Sequence, residues 1–284
     1  MSVLKRFYHD NADENRHELC IDEVGRGCLF GRVYIACVVL PKDIHAFDGK
    51  GIKDSKKFSS KKKMKEMATY IKENALAWNI AYLENDVIDD INILKAVMKG
   101  MHIVIHKTIH ELSSDNRNQY FGVIDGNYFQ SCTYFDSGTE TIVELPYVTV
   151  EKGDSLYMGI AAASILAKTA RDEYILDLCE KHPALVERYG LNTNMGYGTK
   201  AHMEGIKTHG ITEWHRKSYS PCSRGNLGSP LPPPKNLDNG SGDDLSLPPP
   251  KNLDNGCGDG VSLPPSKNLD NGCGDGVSLD CAEY

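Results

Sequence analysis

The chain lacks several features that would settle its class at once. No apolar run approaches the roughly 20 residues of a membrane-spanning helix, so no membrane partner is expected. Residues Met1 to Arg16 are polar and carry no apolar signal-peptide core. The nine cysteines include no Cys-x-x-Cys pair, which removes the usual zinc-binding spacing. Their odd number and scatter fit reduced thiols, hence an expected cytoplasmic location, with the nucleus also open. Excess positive charge is missing too. A net charge of −7 argues against a polycation that coats nucleic acid, but leaves room for a local basic groove.

Charge and composition divide the chain. Residues 224–284 hold Arg224, Lys235, Lys251 and Lys267 against eight aspartates and Glu283, a net −5. The rest is nearly neutral. Leu231–Ser246, Leu247–Ser262 and Leu263–Ser278 are three copies of a 16-residue unit with the common core Leu-Pro-Pro, then Lys-Asn-Leu-Asp-Asn-Gly. The copies contain no aromatic residue and too little apolar area to offset chain ordering. We therefore expect a disordered tail with no partner identifiable from its sequence. Their Asp-Asn-Gly-x-Gly-Asp pattern lacks the apolar position of a calcium-binding repeat.

Hydrophobic patterning upstream predicts an α/β domain. Leu19-Cys20-Ile21 reads as a short strand, and Val33 to Leu40 as a second, β-branched and stopped by Pro41. Gly25, Gly27 and Gly31 between them suit an antiparallel return. Ser59 to Asn74 reads as an amphipathic helix, Ala77 to Leu83 as a third strand and Asp86 to Leu112 as one long helix. Phe121 to Ile124 and Pro146 to Val150 are two further strands. Leu156 to Lys181 is a helix dense in alanine, followed by mixed loop and a short helix around Ala201 to His209. An early hairpin followed by helix, strand and helix implies a mixed sheet. Residues 1–17 are expected to be a flexible leader, and 18–223 the folded domain.

Five segments carry chemistry. In Cys20-Ile21-Asp22-Glu23-Val24-Gly25-Arg26-Gly27, two carboxylates end a strand and enter a turn whose glycines bare backbone N–H groups. Carboxylates for hard metal ions beside an arginine fork for phosphate suggest metal-assisted phosphodiester chemistry; alone, the motif reads more readily as a polar strand exit. Asp54-Ser55-Lys56-Lys57 precedes Lys61-Lys62-Lys63, a helix start with lysines for phosphate or for solvent. Ile124-Asp125-Gly126-Asn127 puts another aspartate at a strand end, where open α/β sheets place ligands. Lys152-Gly153-Asp154 precedes the alanine-rich helix, which carries Lys168, Arg171 and Asp172; Asp172 is spaced to pair with Lys168 one turn back. Asn194-Met195-Gly196-Tyr197-Gly198 holds a tyrosine between glycines, a stacking platform or a core cover, with His215-Arg216-Lys217-Ser218-Tyr219 behind it.

These five motifs, in this order from about Leu19 to Pro221, resemble the type 2 ribonuclease H family and most closely its ribonuclease HII branch. The resemblance implies a ribonuclease H-like mixed sheet flanked by helices, with a C-terminal helical and loop segment before the tail. It implies an endonuclease that cuts the RNA strand of RNA–DNA hybrids and on the 5′ side of ribonucleotides embedded in duplex DNA, leaving 3′-hydroxyl and 5′-phosphate ends. Such a domain is expected to act as a monomer.

The resemblance makes Asp22, Glu23, Asp125 and Asp154 the catalytic carboxylates and ligands of two Mg2+ or Mn2+ ions. It gives Gly25, Arg26 and Gly27 the reading of the 2′-hydroxyl, Tyr197 the stacking on the following deoxyribose and Lys56 a backbone phosphate. Asp172, with Lys168, is expected to support the carboxylates from behind. Cys28 and Arg32 stand where the family usually has proline, and Met195 where lysine is common. Rival readings are a ribonuclease HIII or junction resolvase, and a catalytically weak nucleic-acid-binding scaffold. The HIII type usually has lysine in place of Arg26, and intact carboxylates argue against a scaffold.

Overall fold

The computed structural model describes residues 4–9, 16–58, 60–113, 119–225, 227–228 and 231–232. Apart from its first two positions the repeat tail lies outside the described residues. The elements in chain order are β1 (Arg16–Val24), β2 (Val33–Val39), α1 (Lys61–Asn74), β3 (Ala77–Leu83), α2 (Asn85–Ile91) and α3 (Ile93–Leu112). There follow β4 (Gln119–Asp125), β5 (Thr133–Asp136), β6 (Thr141–Glu144), β7 (Tyr147–Val150), α4 (Met158–Lys181), α5 (Ala184–Tyr189), α6 (Leu191–Asn194), α7 (Lys200–His209) and α8 (Ser220–Ser223).

Five strands form one mixed sheet in the order β3-β2-β1-β4-β7. The β1–β2 and β2–β3 pairs are antiparallel, and β1–β4 and β4–β7 are parallel. Side-chain alternation sends successive residues to opposite faces. Leu19 and Ile21 of β1 join the α3 side, with Val97, Met101, Val104 and Ile105. Cys20 of β1 and Val123 of β4 meet Ile160 of α4 on the other side.

The small residues of α4 let that helix sit hard against the sheet. A Cβ at Gly159 would overlap the Sγ of Cys20. Ile160 to Ala167 are buried on every face of the helix, the mark of a helix inside the molecule. α1 covers it from outside, with its start capped by the Ser60 hydroxyl on the Lys63 N–H and with Met64, Ala68 and Ile71 buried. The later half of α4 packs with α5 to α8 in a separate apolar cluster that includes Leu29, Phe30, Leu185, Met195 and Ile211.

Three expectations are corrected. The helix expected over Asp86 to Leu112 is two helices. Asn92 lies at φ 67°, and its side chain accepts from the Lys95 N–H, so it ends one helix and caps the next. A hairpin, β5–β6, stands where no strand was expected; its outward pair Phe135 and Ile142 is exposed, so its sequence carries no clean alternation. The leader is pinned over residues 4–9. The Lys5 N–H donates to Leu156 O and the Met158 N–H to Lys5 O, both at 2.8 Å. Buried Glu18 accepts from the Tyr8 and His9 N–H groups at 2.8 and 2.9 Å.

Candidate active site

Two central parallel strands set the first carboxylates. Ile21 of β1 is in register with Ile124 of β4, so Asp22 and Asp125 follow side by side where the pairing of these two strands ends; β1 itself runs on to Val24 against β2. Both share the parity of Cys20 and Val123, and so project toward α4. Asp125 is the last residue of its strand, where pairing ends and a glycine turn begins. Asp154 lies in a short 3-10 turn over Gly153–Ser155 that follows β7 and leads into α4. The Gly153 N–H donates to Asp125 Oδ1 at 2.6 Å and ties that turn to the strand end.

Crowding and burial mark the cluster electrostatically. Asp22 is held well above the usual carboxylate range by burial first, then by the charges of Asp125 and Glu23. Hydrogen bonds from the Ser164 hydroxyl and the Glu23 N–H pull the other way. Glu23 is pushed up to about 7 by burial, against the pull of Arg26, whose Nη1 lies 3.6 Å away. Asp125 is raised by burial, opposed by the Gly153 N–H.

Ser164 went unassigned in the sequence. A serine in an alanine run has no periodicity signal of its own; only the register of α4 against β1 places it under Asp22. Its hydroxyl also meets that of Ser55 at 3.1 Å. Lys56, in the same short helix as Ser55, reaches Asp154 Oδ2 with its Nζ at 3.3 Å. Lys168 and Asp172 pair at 2.6 Å, as their spacing predicts.

Four carboxylates form a hard oxygen donor set of the kind that suits Mg2+ or Mn2+. Among the described residues, no three His, Cys, Asp or Glu side chains are arranged to enclose an ion. Two of the four have oxygens turned to internal donors, Asp125 to Gly153 and Asp154 to Lys56. Each carboxylate has about four lone-pair sites, so an ion can be bound with these donors still in place.

The turn after β1 and the tyrosine loop form one surface. Gly25 lies at φ +97°, and a Cβ there would overlap Arg171 Nε, so only glycine fits. Cys28 forms a bridge with Tyr197, and the Leu29 N–H donates to Gly196 O at 2.8 Å. Tyr197 is 41% exposed, so its ring is open to a ligand. Burial first, then Cys28, raises its hydroxyl to about 12. It stays neutral at any physiological pH.

The mixed sheet β3-β2-β1-β4-β7, with helices on both faces, is the architecture of the ribonuclease H-like class. A sequence model described as Ribonuclease HII matches residues 19–222. The chain is 41% identical over 208 residues to the ribonuclease HII of Parabacteroides distasonis, covering 73% of this chain and 92% of that one. It is 42% identical over 200 residues to that of Alkaliphilus oremlandii, covering 70% and 88%. Among solved structures, ribonuclease H2 from Pyrococcus horikoshii OT3 shares the fold with a TM-score of 0.52 at 20% identity, covering 73% of this chain and 95% of that one. Bst-RNase HIII in complex with Mn2+ does so at 0.56 and 18%, covering 74% and 68%. The chain belongs to the ribonuclease HII family, and is a ribonuclease H hydrolase.

Proposed function

We propose that the chain is an endonuclease that cuts the RNA strand of RNA–DNA hybrids and the 5′ side of ribonucleotides embedded in duplex DNA. The observation that carries this is the side-by-side placement of Asp22 and Asp125 on parallel central strands, next to the Gly25–Gly27 turn and the exposed Tyr197.

Asp22, Glu23, Asp125 and Asp154 would hold two divalent cations, for which Mg2+ and Mn2+ both suit the oxygen donors. Bound ions supply an activated water and charge stabilisation for in-line displacement at phosphorus. The protein's own part is placement. Ser164 holds Asp22 from below, and Gly153 keeps Asp125 aimed from the strand end. Lys56 is exposed enough to take a phosphate oxygen when the backbone arrives.

DNA and RNA differ at one site only by the 2′-hydroxyl. The bared N–H groups of the Gly25–Gly27 turn read that hydroxyl. Tyr197 stacks on the next sugar and favours one without it. Together they select an RNA–DNA junction.

The test is a duplex DNA containing one ribonucleotide, run beside a uniform RNA–DNA hybrid and an all-DNA duplex, with and without a chelator. Cleavage of the first two, blocked by chelation, with 3′-hydroxyl and 5′-phosphate products, is the expected result. Binding of all three without cleavage returns the scaffold reading.

A further inference from the structure

The His215 to Tyr219 segment is far from the carboxylates in sequence, yet it meets the Gly25–Gly27 turn from within. Arg216 is fully buried, and among the described residues no carboxylate forms an ion pair with it. Its donors all go to oxygens of the turn region or to Tyr219. Nε donates to Gly31 O at 2.9 Å, Nη2 to Arg32 O at 3.0 Å, and Nη1 to Arg26 O at 3.0 Å and Tyr219 Oη at 3.1 Å. The Tyr219 hydroxyl in turn donates to Arg26 O at 2.6 Å. One carbonyl, that of Arg26, thus receives both donors.

We infer that Arg216 and Tyr219 are positioning residues for ribonucleotide recognition: by pinning the Arg26 carbonyl inward they aim the Gly27 N–H at the substrate's 2′-oxygen. The geometry is that of a single peptide plane. A trans peptide holds its C=O and N–H antiparallel, and none of the peptide bonds here is cis. The Arg26 carbonyl faces a buried guanidinium, so the Gly27 N–H faces away from it. Among the described residues, no backbone group accepts from that N–H. Gly27 itself is exposed, and a Cβ there would meet nothing within 4 Å, so the space in front of it is open. The Arg26 side chain, paired with Glu23 Oε1 at 3.6 Å, is 54% exposed and so still within reach of a phosphate.

Arg171 fixes the opposite rim in the same way. It too is fully buried, and it donates to Phe30 O at 3.0 Å and to Met195 O at 2.6 Å. Met195 lies at φ 50°, a left-handed conformation that the arginine helps to hold. The turn and the Tyr197 loop therefore share a frame, and Arg216 sets the donor direction within it.

This inference rests on the proposed function. Its test measures binding in Ca2+, with no cleavage, to a duplex with one ribonucleotide and to the same duplex in DNA alone. The wild-type chain should prefer the ribonucleotide. Tyr219→Phe removes one donor to Arg26 O while filling the same space. It should cut that preference about three- to tenfold, the worth of one neutral hydrogen bond, and leave all-DNA affinity unchanged. Arg216→Lys, which keeps the charge and loses the fork, should cut it further. Equal losses on both duplexes, or an intact preference in Tyr219→Phe, overturn the inference even if Arg216→Lys fails to fold. A wild-type chain with no preference overturns the underlying functional reading instead.

Discussion

The Lys56 ammonium stands 3.3 Å from Asp154 Oδ2, with the lysine side chain 81% exposed and the aspartate 10%. An ion pair open to water on one side contributes under about 1 kcal/mol to stability. Lys56→Ala should therefore leave the melting temperature nearly unchanged. It should lower the slope of log affinity against log salt by about one for duplex binding, as loss of one phosphate contact does. Titration across salt concentrations measures this; an unchanged slope removes Lys56 from the phosphate contacts.

Asp125→Asn should abolish cleavage in both Mg2+ and Mn2+ while the chain stays folded. The charge of Asp125 raises the Asp22 and Glu23 carboxyls, so removing it relieves repulsion in the free protein. The variant should melt no lower than the wild type, and chelation should no longer alter its behaviour on substrate. Near-normal turnover would take Asp125 out of the site.

Tyr197→Ala should weaken cutting at a single embedded ribonucleotide by about 1–3 kcal/mol, the worth of a stacking platform. Its side chain is partly exposed, so the fold should survive. Affinity for an all-DNA duplex should fall less. Equal effects would show that the ring contributes only general contact.

His215 is buried against His202, with its Nδ1 accepting from the Thr212 N–H at 2.9 Å. The two rings meet at 3.1 Å through their Nε2 atoms, and His202 Nδ1 bonds Tyr197 O at 3.0 Å. Burial first, then His202, lowers His215 from 6.5 to about 3. A base whose folded value is depressed resists protonation only while folded. Its contribution to stability is complete above pH 6.5 and is lost as pH falls toward 3. Denaturant unfolding in that window should show stability rising with pH by up to about 1.4 kcal/mol per unit from this group. His215→Gln should flatten that part of the curve.

A chain ending at Pro232 should fold and cleave like the full one. Composition puts the end of the domain at Ser223, and contacts run past that point. Ile211 bridges to Leu227, the Gly228 N–H donates to Ile211 O at 3.0 Å, and Leu231 packs on the C-terminal cluster. Truncation at Ser223 should lower the melting temperature relative to truncation at Pro232, as thermal unfolding would show.

The placement of Asp22 and Asp125 on neighbouring strands was legible because each follows a short apolar run ahead of a glycine turn; their role as metal ligands rests on the family resemblance. The Lys168–Asp172 pair was legible from helical spacing alone. The roles of Gly25 to Gly27 and Tyr197 came from family resemblance, since a glycine's exposed N–H leaves no mark in composition. Arg171 and Arg216 were not legible. Arginine reads as solvated by default, and most of the backbone carbonyls that hold these two come from segments well over a hundred residues away. The β5–β6 hairpin was lost for the opposite reason: its outer face buries nothing, so no alternation announces it.

The long span between Arg216 and the Arg26 carbonyl, 190 residues apart, also orders events during synthesis. The four carboxylates have all been made once Asp154 has left the ribosome's catalytic centre. Arg216 follows roughly sixty residues later, some seconds at ~5–20 residues per second. Until then the nascent chain carries its acidic groups without the buried fork that steadies the selective turn. The turn we propose to choose where to cut is thus completed late, and a chain that stops between Asp154 and Arg216 carries the acidic groups without the fork behind that turn.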